Sequence, residues 1–165
     1  MGDDPETQTP EGEKATEVIL SIFRANGLLL VAGDQLTAEH GLTSARWQVL
    51  GAIDQQDRPL TVPQIARRMG LTRQSVHASV SRLVADGLVE LIANDDHRRS
   101  QLVCFTDRGR ATLQAIDQKQ FVWVNRLAAG LGRAQLETTA RVLSELCGRL
   151  EADRNQSNSP EGEET

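Results

Sequence analysis

The sequence has no tyrosine, and aromatic residues make up only 3% of its 165 residues. Any core must therefore be aliphatic. Cysteine occurs twice, at Cys104 and Cys147, far apart and without a CxxC pair. That argues against a disulfide framework or a zinc ribbon. Three histidines, His40, His77 and His97, show no HExxH or other metal-ligand spacing. No nucleophile–base pair, metal cluster or phosphate-cradling loop stands out, so an enzyme is not expected, and neither is a cofactor. No uncharged apolar run reaches the length of a bilayer span. The N-terminus, MGDDPETQTP, is acidic where a secretory leader is basic. These absences lead to the expectation of a soluble, cytoplasmic chain with no membrane partner.

Acidity is what the chain has in excess, with a formal net charge of -5. It is segregated. Residues 1–17 carry six acids against Lys14, and residues 151–165 carry five acids against Arg154. The body, 18–150, holds 16 bases and 12 acids and is net basic. Both ends are rich in Pro, Glu, Ser, Asn and Gly and offer little to bury, so they read as disordered tails.

From Thr16 to about Glu39 an apolar-rich segment predicts a first helix. Its Val18, Ile19, Ile22, Phe23, Leu28, Leu29, Leu30 and Leu36 cover more than one face. Such a helix must be buried on several sides, which in a short chain implies a partner subunit. Gly27 and Gly33 weaken the case for an unbroken helix. A second helix follows in LTSARWQVLGAI, with Thr43 as cap and Trp47, Leu50 and Ile53 on one face.

The stretch TVPQIARRMGLTRQSVHASVSRLVADG carries the most information. Thr61 and Gln64 form a T-x-x-Q capping box, with Pro63 in the first turn. Ile65, Ala66 and Met69 face inward, and Gly70 ends this short helix. Thr72 caps the next one, where Val76, Val80, Leu83 and Val84 make an apolar stripe that Gly87 stops. Two short helices, a small residue in the first and a glycine in the turn describe a helix-turn-helix. After it, LVELI and QLVCF are β-prone runs around ANDDHRRS, a hairpin in the position of a wing. Thr106 or Asp107 then caps a long helix to about Ala129, interrupted by Gly130 and Gly132. The last helix, about Arg133 to Asp153, places Leu136, Ala140, Leu143, Cys147 and Leu150 in a heptad-like seam that needs a partner, either the first helix or a second subunit.

GLTSARWQVL, the helix-turn-helix stretch and NDDHRRSQLVCFTDRG together resemble the MarR family of bacterial transcription regulators. The last of these resembles the family's wing signature, here Asp96-His97-Arg98, with Phe105 where the family more often has leucine. The resemblance spans about 16–152. It implies a mainly α-helical subunit with a small β-hairpin wing, in which the N- and C-terminal helices make the dimerisation region. The DNA-binding lobe falls at about 43–106, dimerisation helices at about 16–40 and 107–152, and acidic tails at 1–15 and 153–165. A homodimer on double-stranded pseudo-palindromic operator DNA is the implied assembly.

On an ideal helical wheel the face opposite Val76, Val80, Leu83 and Val84 holds Gln74, Ala78, Ser81 and Arg82. Ser75 and His77 lie on its flanks, and Arg73 lies at the helix start. The face is free of carboxylates up to Asp86, as phosphate proximity requires. Gln pairs with adenine, Arg with guanine, and Ala touches the thymine methyl. Any amphipathic helix has a polar outer face; the helix-turn-helix spacing and the arginine-tipped wing favour DNA. Arg67 and Arg68 fit solvent and phosphate equally well. By resemblance, Arg98 enters the minor groove with Asp96 as its buttress, while Arg99 meets phosphate or folds back onto Asp95. The resemblance also implies a repressor relieved by a small ligand, aromatic or anionic, with His40, Arg46 and Trp47 as pocket residues by position. A winged helix used only as a protein-interaction module, and a regulator that activates or needs no ligand, are the alternatives.

Overall fold

The computed structural model describes residues 7–56, 58–97 and 99–157. The chain divides into two compact units, residues 1–121 and 122–165.

The first unit begins with helix α1, Pro10–Thr37. It starts inside the stretch 1–15 that composition assigned to a tail. The Thr9 hydroxyl accepts a hydrogen bond from the Gly12 N–H, Pro10 occupies the first turn, and Glu11 and Glu13 lie near its positive end. These are the ordinary devices of a helix start. The helix is unbroken at Gly27 and Gly33. Gly33 instead permits close approach: a Cβ there would lie 2.4 Å from the Ser44 hydroxyl oxygen. At the same crossing the Ser44 N–H donates to the Asp34 carboxylate at 2.6 Å. A 3-10 turn, Ala38–His40, leads to Gly41 at φ 65° and then to α2, Ser44–Asp54, capped by Thr43 as expected.

Strand β1 is only Leu60–Thr61. Helix α3, Val62–Met69, follows with both halves of the Thr61–Gln64 capping box formed. Gly70, at φ 63°, makes the turn into α4, Arg73–Ala85, which Thr72 caps. Strands β2, Val89–Ile92, and β3, Leu102–Phe105, form the hairpin. All three strands are antiparallel in the order β1-β3-β2, with Leu60 opposite Val103 and Val89 opposite Phe105. The β1 rung was not expected; a two-residue strand carries no alternation to read.

Helix α5, Asp107–Ala128, is capped by Thr106. The Thr106 hydroxyl accepts from the Gly109 N–H at 3.0 Å and donates to the Gly87 carbonyl at 2.8 Å. The core is wholly aliphatic, as the lack of aromatics required. It joins Leu42, Val49, Leu50 and Ile53 of the α2 region to Leu60, Ile65, Val76, Val80, Leu83, Val89, Val103, Leu113 and Ile116. Trp47, Met69 and Phe105 flank it half-buried. Val84, expected in the α4 stripe, is 37% exposed.

The second unit holds the end of α5, the Gly130 turn at φ 84°, and α6, Arg133–Ser157. Helix α6 extends past its expected end at Asp153, into the stretch assigned to a tail, and has no buried residue in the single chain. Its seam residues Leu136, Cys147 and Leu150 are exposed. Helix α1 buries Gly33 and Thr37 near its end but leaves much apolar surface uncovered: Leu20 is 62% and Phe23 68% exposed. Its 18-residue apolar window has a mean hydropathy of 1.5, enough by length and composition alone to cross a membrane.

Candidate nucleic-acid interface

Helix α4 turns its apolar residues Val76, Val80 and Leu83 into the core, which fixes what faces outward. Arg73, Gln74, Ser75, His77, Ala78, Ser81 and Arg82 are all exposed, as the helical wheel required. Among the described residues, neither Arg73 nor Arg82 is held in an ion pair, and neither are Arg67 and Arg68 at the end of α3. The surface around the helix-turn-helix therefore carries guanidinium charge that no carboxylate among the described residues pairs with. The α4 N-terminus also points free backbone N–H groups outward, beyond the one that Thr72 accepts from Ser75.

The hairpin tip is shaped by Asn94. Its side chain accepts from the Asp96 N–H at 3.1 Å, and its carbonyl accepts from the His97 N–H at 3.2 Å. The Ser100 N–H donates to the His97 carbonyl at 2.9 Å. Asp96 and Arg99 are exposed. Among the described residues no ion pair joins Arg99 to Asp95, so Arg99 does not fold back in that way. Arg98 lies outside the described residues, and with it the pairing assigned to Asp96.

The three residues placed in a ligand pocket separate. His40 and Arg46 line one cavity, and Trp47 lines another. Arg46 is largely buried, at 17% exposure. It donates to the Asp86 carboxylate at 2.6 Å and to the Gly41 carbonyl at 2.7 Å. This pair ties the start of α2 to the end of α4. Asp86, whose negative charge is ill-placed at a helix C-terminus, is offset by Arg46. Sequence reasoning missed this role for Asp86 and the place of Arg108 on the same cavity. A basic residue in the first turn of α5, where acids are favoured, was the available signal for Arg108.

The Trp47 cavity, about 680 Å³, is lined also by Met69, Leu113, Phe121, Asp54 and Asp117. Burial, and then the nearby Asp54 carboxylate, push the Asp117 carboxyl above the usual aspartate value. The folded state therefore holds this proton more tightly than the unfolded chain does. The associated stability is present below the unfolded pKa and is lost as pH rises through the folded one. Asp117→Asn is expected to stabilise the fold at neutral pH by no more than about 1 kcal/mol, discounted for partial exposure. Urea melts at pH 7 and near pH 3.5 check this: the gain must shrink at the lower pH, and a pH-independent gain contradicts it. The opposite shift holds at Glu39, where the hydrogen bond and charge of Lys119 lower the carboxyl. Burial, with the Glu90 carboxylate, raises the half-buried Cys104 thiol, which suppresses its thiolate.

The MarR family profile matches residues 40–100, which hold the helix-turn-helix and most of the wing. The chain is 42% identical over 142 residues to the uncharacterized protein Rv2011c of Mycobacterium tuberculosis, covering 86% of this chain and 98% of that one. It is 28% identical over 108 residues to the transcriptional activatory protein BadR of Rhodopseudomonas palustris, covering 64% of this chain and 62% of BadR. Its fold matches the crystal structure of the M. tuberculosis transcriptional regulator MosR in complex with DNA. The TM-score is 0.70 at 25% identity, over 82% of this chain and 97% of that one. The chain belongs to the MarR family of winged-helix regulators and is a DNA-binding transcription regulator.

Proposed function

We propose that the protein is a homodimeric, cytoplasmic repressor of pseudo-palindromic operators, released from DNA by a small ligand. The observation that carries this reading is the α4 face, exposed, free of carboxylates up to Asp86 and flanked by guanidiniums that have no ion-pair partner among the described residues. Gln74, Ala78, Ser81 and Arg82, with Arg73, Ser75 and His77 beside them, read base edges and phosphates in the major groove. Arg98 and Arg99 reach the adjoining minor groove and backbone, with Asp96 behind Arg98.

The exposed apolar surfaces of α1 and α6 support the dimer. A soluble monomer rarely leaves so much aliphatic surface in water. A second copy covers it and sets two recognition helices about 34–36 Å apart, one turn of duplex. The two cavities beside α2 support a ligand site, and their helices connect the α4 end to α5.

Titration of operator DNA at graded salt tests the reading. Arg98→Ala is expected to weaken binding by roughly 10–100-fold and to lower the salt slope by about one. Sedimentation of the same samples must show an intact dimer. Tight dimers with no salt-dependent DNA affinity sink the reading in favour of a protein-interaction module, and recovery in the membrane fraction sinks the dimer as the cover of α1. The likeness to BadR, an activatory protein, supports a second reading in which the same contacts activate. Reporter output with the gene deleted separates the two.

A further inference from the structure

A cavity of about 550 Å³ lies among the 3-10 turn after α1, the start of α2, the last turn of α4 and the first turns of α5. Its ion pairs leave a remainder. Arg46 is matched by Asp86, and Glu39 by Lys119. Arg82 from α4 and Arg108 from α5 also line the cavity, and among the described residues no ion pair holds either of them. Two arginines from different helices thus line one concavity, and among the described residues no carboxylate of its lining is left over for them. The half-buried His40 adds imidazole hydrogen-bonding capacity to the same wall. Among the described residues, Ala85 and Leu88 are the apolar side chains of the lining, and no phenyl or indole ring belongs to it.

Like charges held together repel, and an anion between them removes that cost. A guanidinium presents parallel N–H donors that match the two oxygens of a carboxylate or phosphate. We propose that this cavity binds a small hydrophilic oxyanion, a carboxylate or phosphate, clasped between Arg82 and Arg108. Of the aromatic and anionic ligands that the resemblance implied, the polar wall favours the anionic. Arg82 also belongs to the proposed DNA face, so an anion here withdraws one guanidinium from the duplex. That effect on DNA rests on the ligand-release reading; the anion site itself does not.

Calorimetric titration of the full chain with citrate, inorganic phosphate and benzoate, at constant ionic strength, tests the site. Citrate or phosphate is expected to bind at one site per chain, and benzoate at least about tenfold more weakly. Arg108→Gln is expected to weaken the oxyanion about tenfold or more, and Arg108→Lys, which keeps the charge without the fork, by less. Arg133→Gln, which removes an exposed guanidinium on α6, leaves binding unchanged. Absence of citrate and phosphate binding, preference for benzoate, or equal losses in the Arg108 and Arg133 variants overturns the proposal. Circular dichroism confirms that each variant is folded, and the lysine variant carries the test if the glutamine variant is not. Operator titration separates the two readings. Citrate binding that depends on Arg108 but leaves DNA affinity unchanged supports the site and sinks ligand release. A ligand that releases DNA equally well from Arg108→Gln overturns this site and keeps ligand release.

Discussion

Gly109→Ala is expected to cost the DNA-binding lobe about 3 kcal/mol or more, enough to lower the melting temperature by roughly 10 °C. The reason is local and geometric. A Cβ at Gly109 would lie 1.9 Å from the Leu88 carbonyl oxygen and 2.8 Å from the Leu88 carbonyl carbon. Both are backbone atoms, so no rotamer change relieves the overlap. The first turn of α5 would have to move away from the residues that open β2. That movement breaks the Thr106 N–H bond to the Leu88 carbonyl at 3.2 Å and the Thr106 hydroxyl bond to the Gly87 carbonyl at 2.8 Å. The wing and α5 would then separate at their joint, and operator binding would fall with the fold. Gly51→Ala in α2 is the control. A Cβ there meets nothing within 4 Å. Removing a helical glycine in open space stabilises by about 0.5–1 kcal/mol. Thermal melts of the two variants check the pair. Equal melting temperatures would show that the close approach at Gly109 is not a constraint.

Gln74→Glu is expected to weaken operator binding by roughly 100-fold while leaving the melting temperature within about 2 °C. Gln74 is exposed on α4 and takes no part in the core. Fold stability is thus indifferent to the change, whereas the duplex is not. The substitution exchanges a side chain that can donate and accept for one that only accepts, and it sets a negative charge on the face assigned to phosphates. Some of the loss comes from the base edge and some from repulsion. Salt separates them, because repulsion is screened and the lost donor is not. Gln118→Glu makes the same chemical change on the exposed part of α5, away from the recognition helix. Fluorescence anisotropy with labelled operator should leave this variant within about twofold of the parent, the scale of a change of a few tenths of a kcal/mol. Equal losses for the two variants would mean that net charge, not the α4 face, governs affinity.

The helix-turn-helix was legible because its signals are local. Thr61 with Gln64, Gly70 and Thr72 each act within four residues, and the structure forms every one of those caps. The outer face of α4 followed from its buried face by rotation alone. What escaped sequence reasoning depends on contacts across long separations or on very short elements. Arg46 meets Asp86 forty residues away. Leu60–Thr61 becomes a strand only because β3 passes beside it. The start of α1 was lost for another reason. Acids and proline at 10–13 were counted as disordered composition, although Thr9, Pro10, Glu11 and Glu13 are also the residues that begin a helix. Composition weighs a segment without regard to order, and a cap is a matter of order. The exposed apolar surfaces agree with the reading that α1 is apolar on more than one face and that the α6 seam needs a partner.

The three-strand sheet has a consequence for how sequence is measured rather than read. The Leu60 and Thr61 rungs on β3 attach the wing directly to the residue that caps α3. The hairpin is therefore one arm of a calliper whose other arm is the helix-turn-helix, and the gap between the arms is set by backbone hydrogen bonds. A duplex gripped by both arms must match that gap with its own groove-to-groove distance. Base steps that lie between the two points of contact, touched by neither arm, would be selected for how readily they stretch or compress to fit.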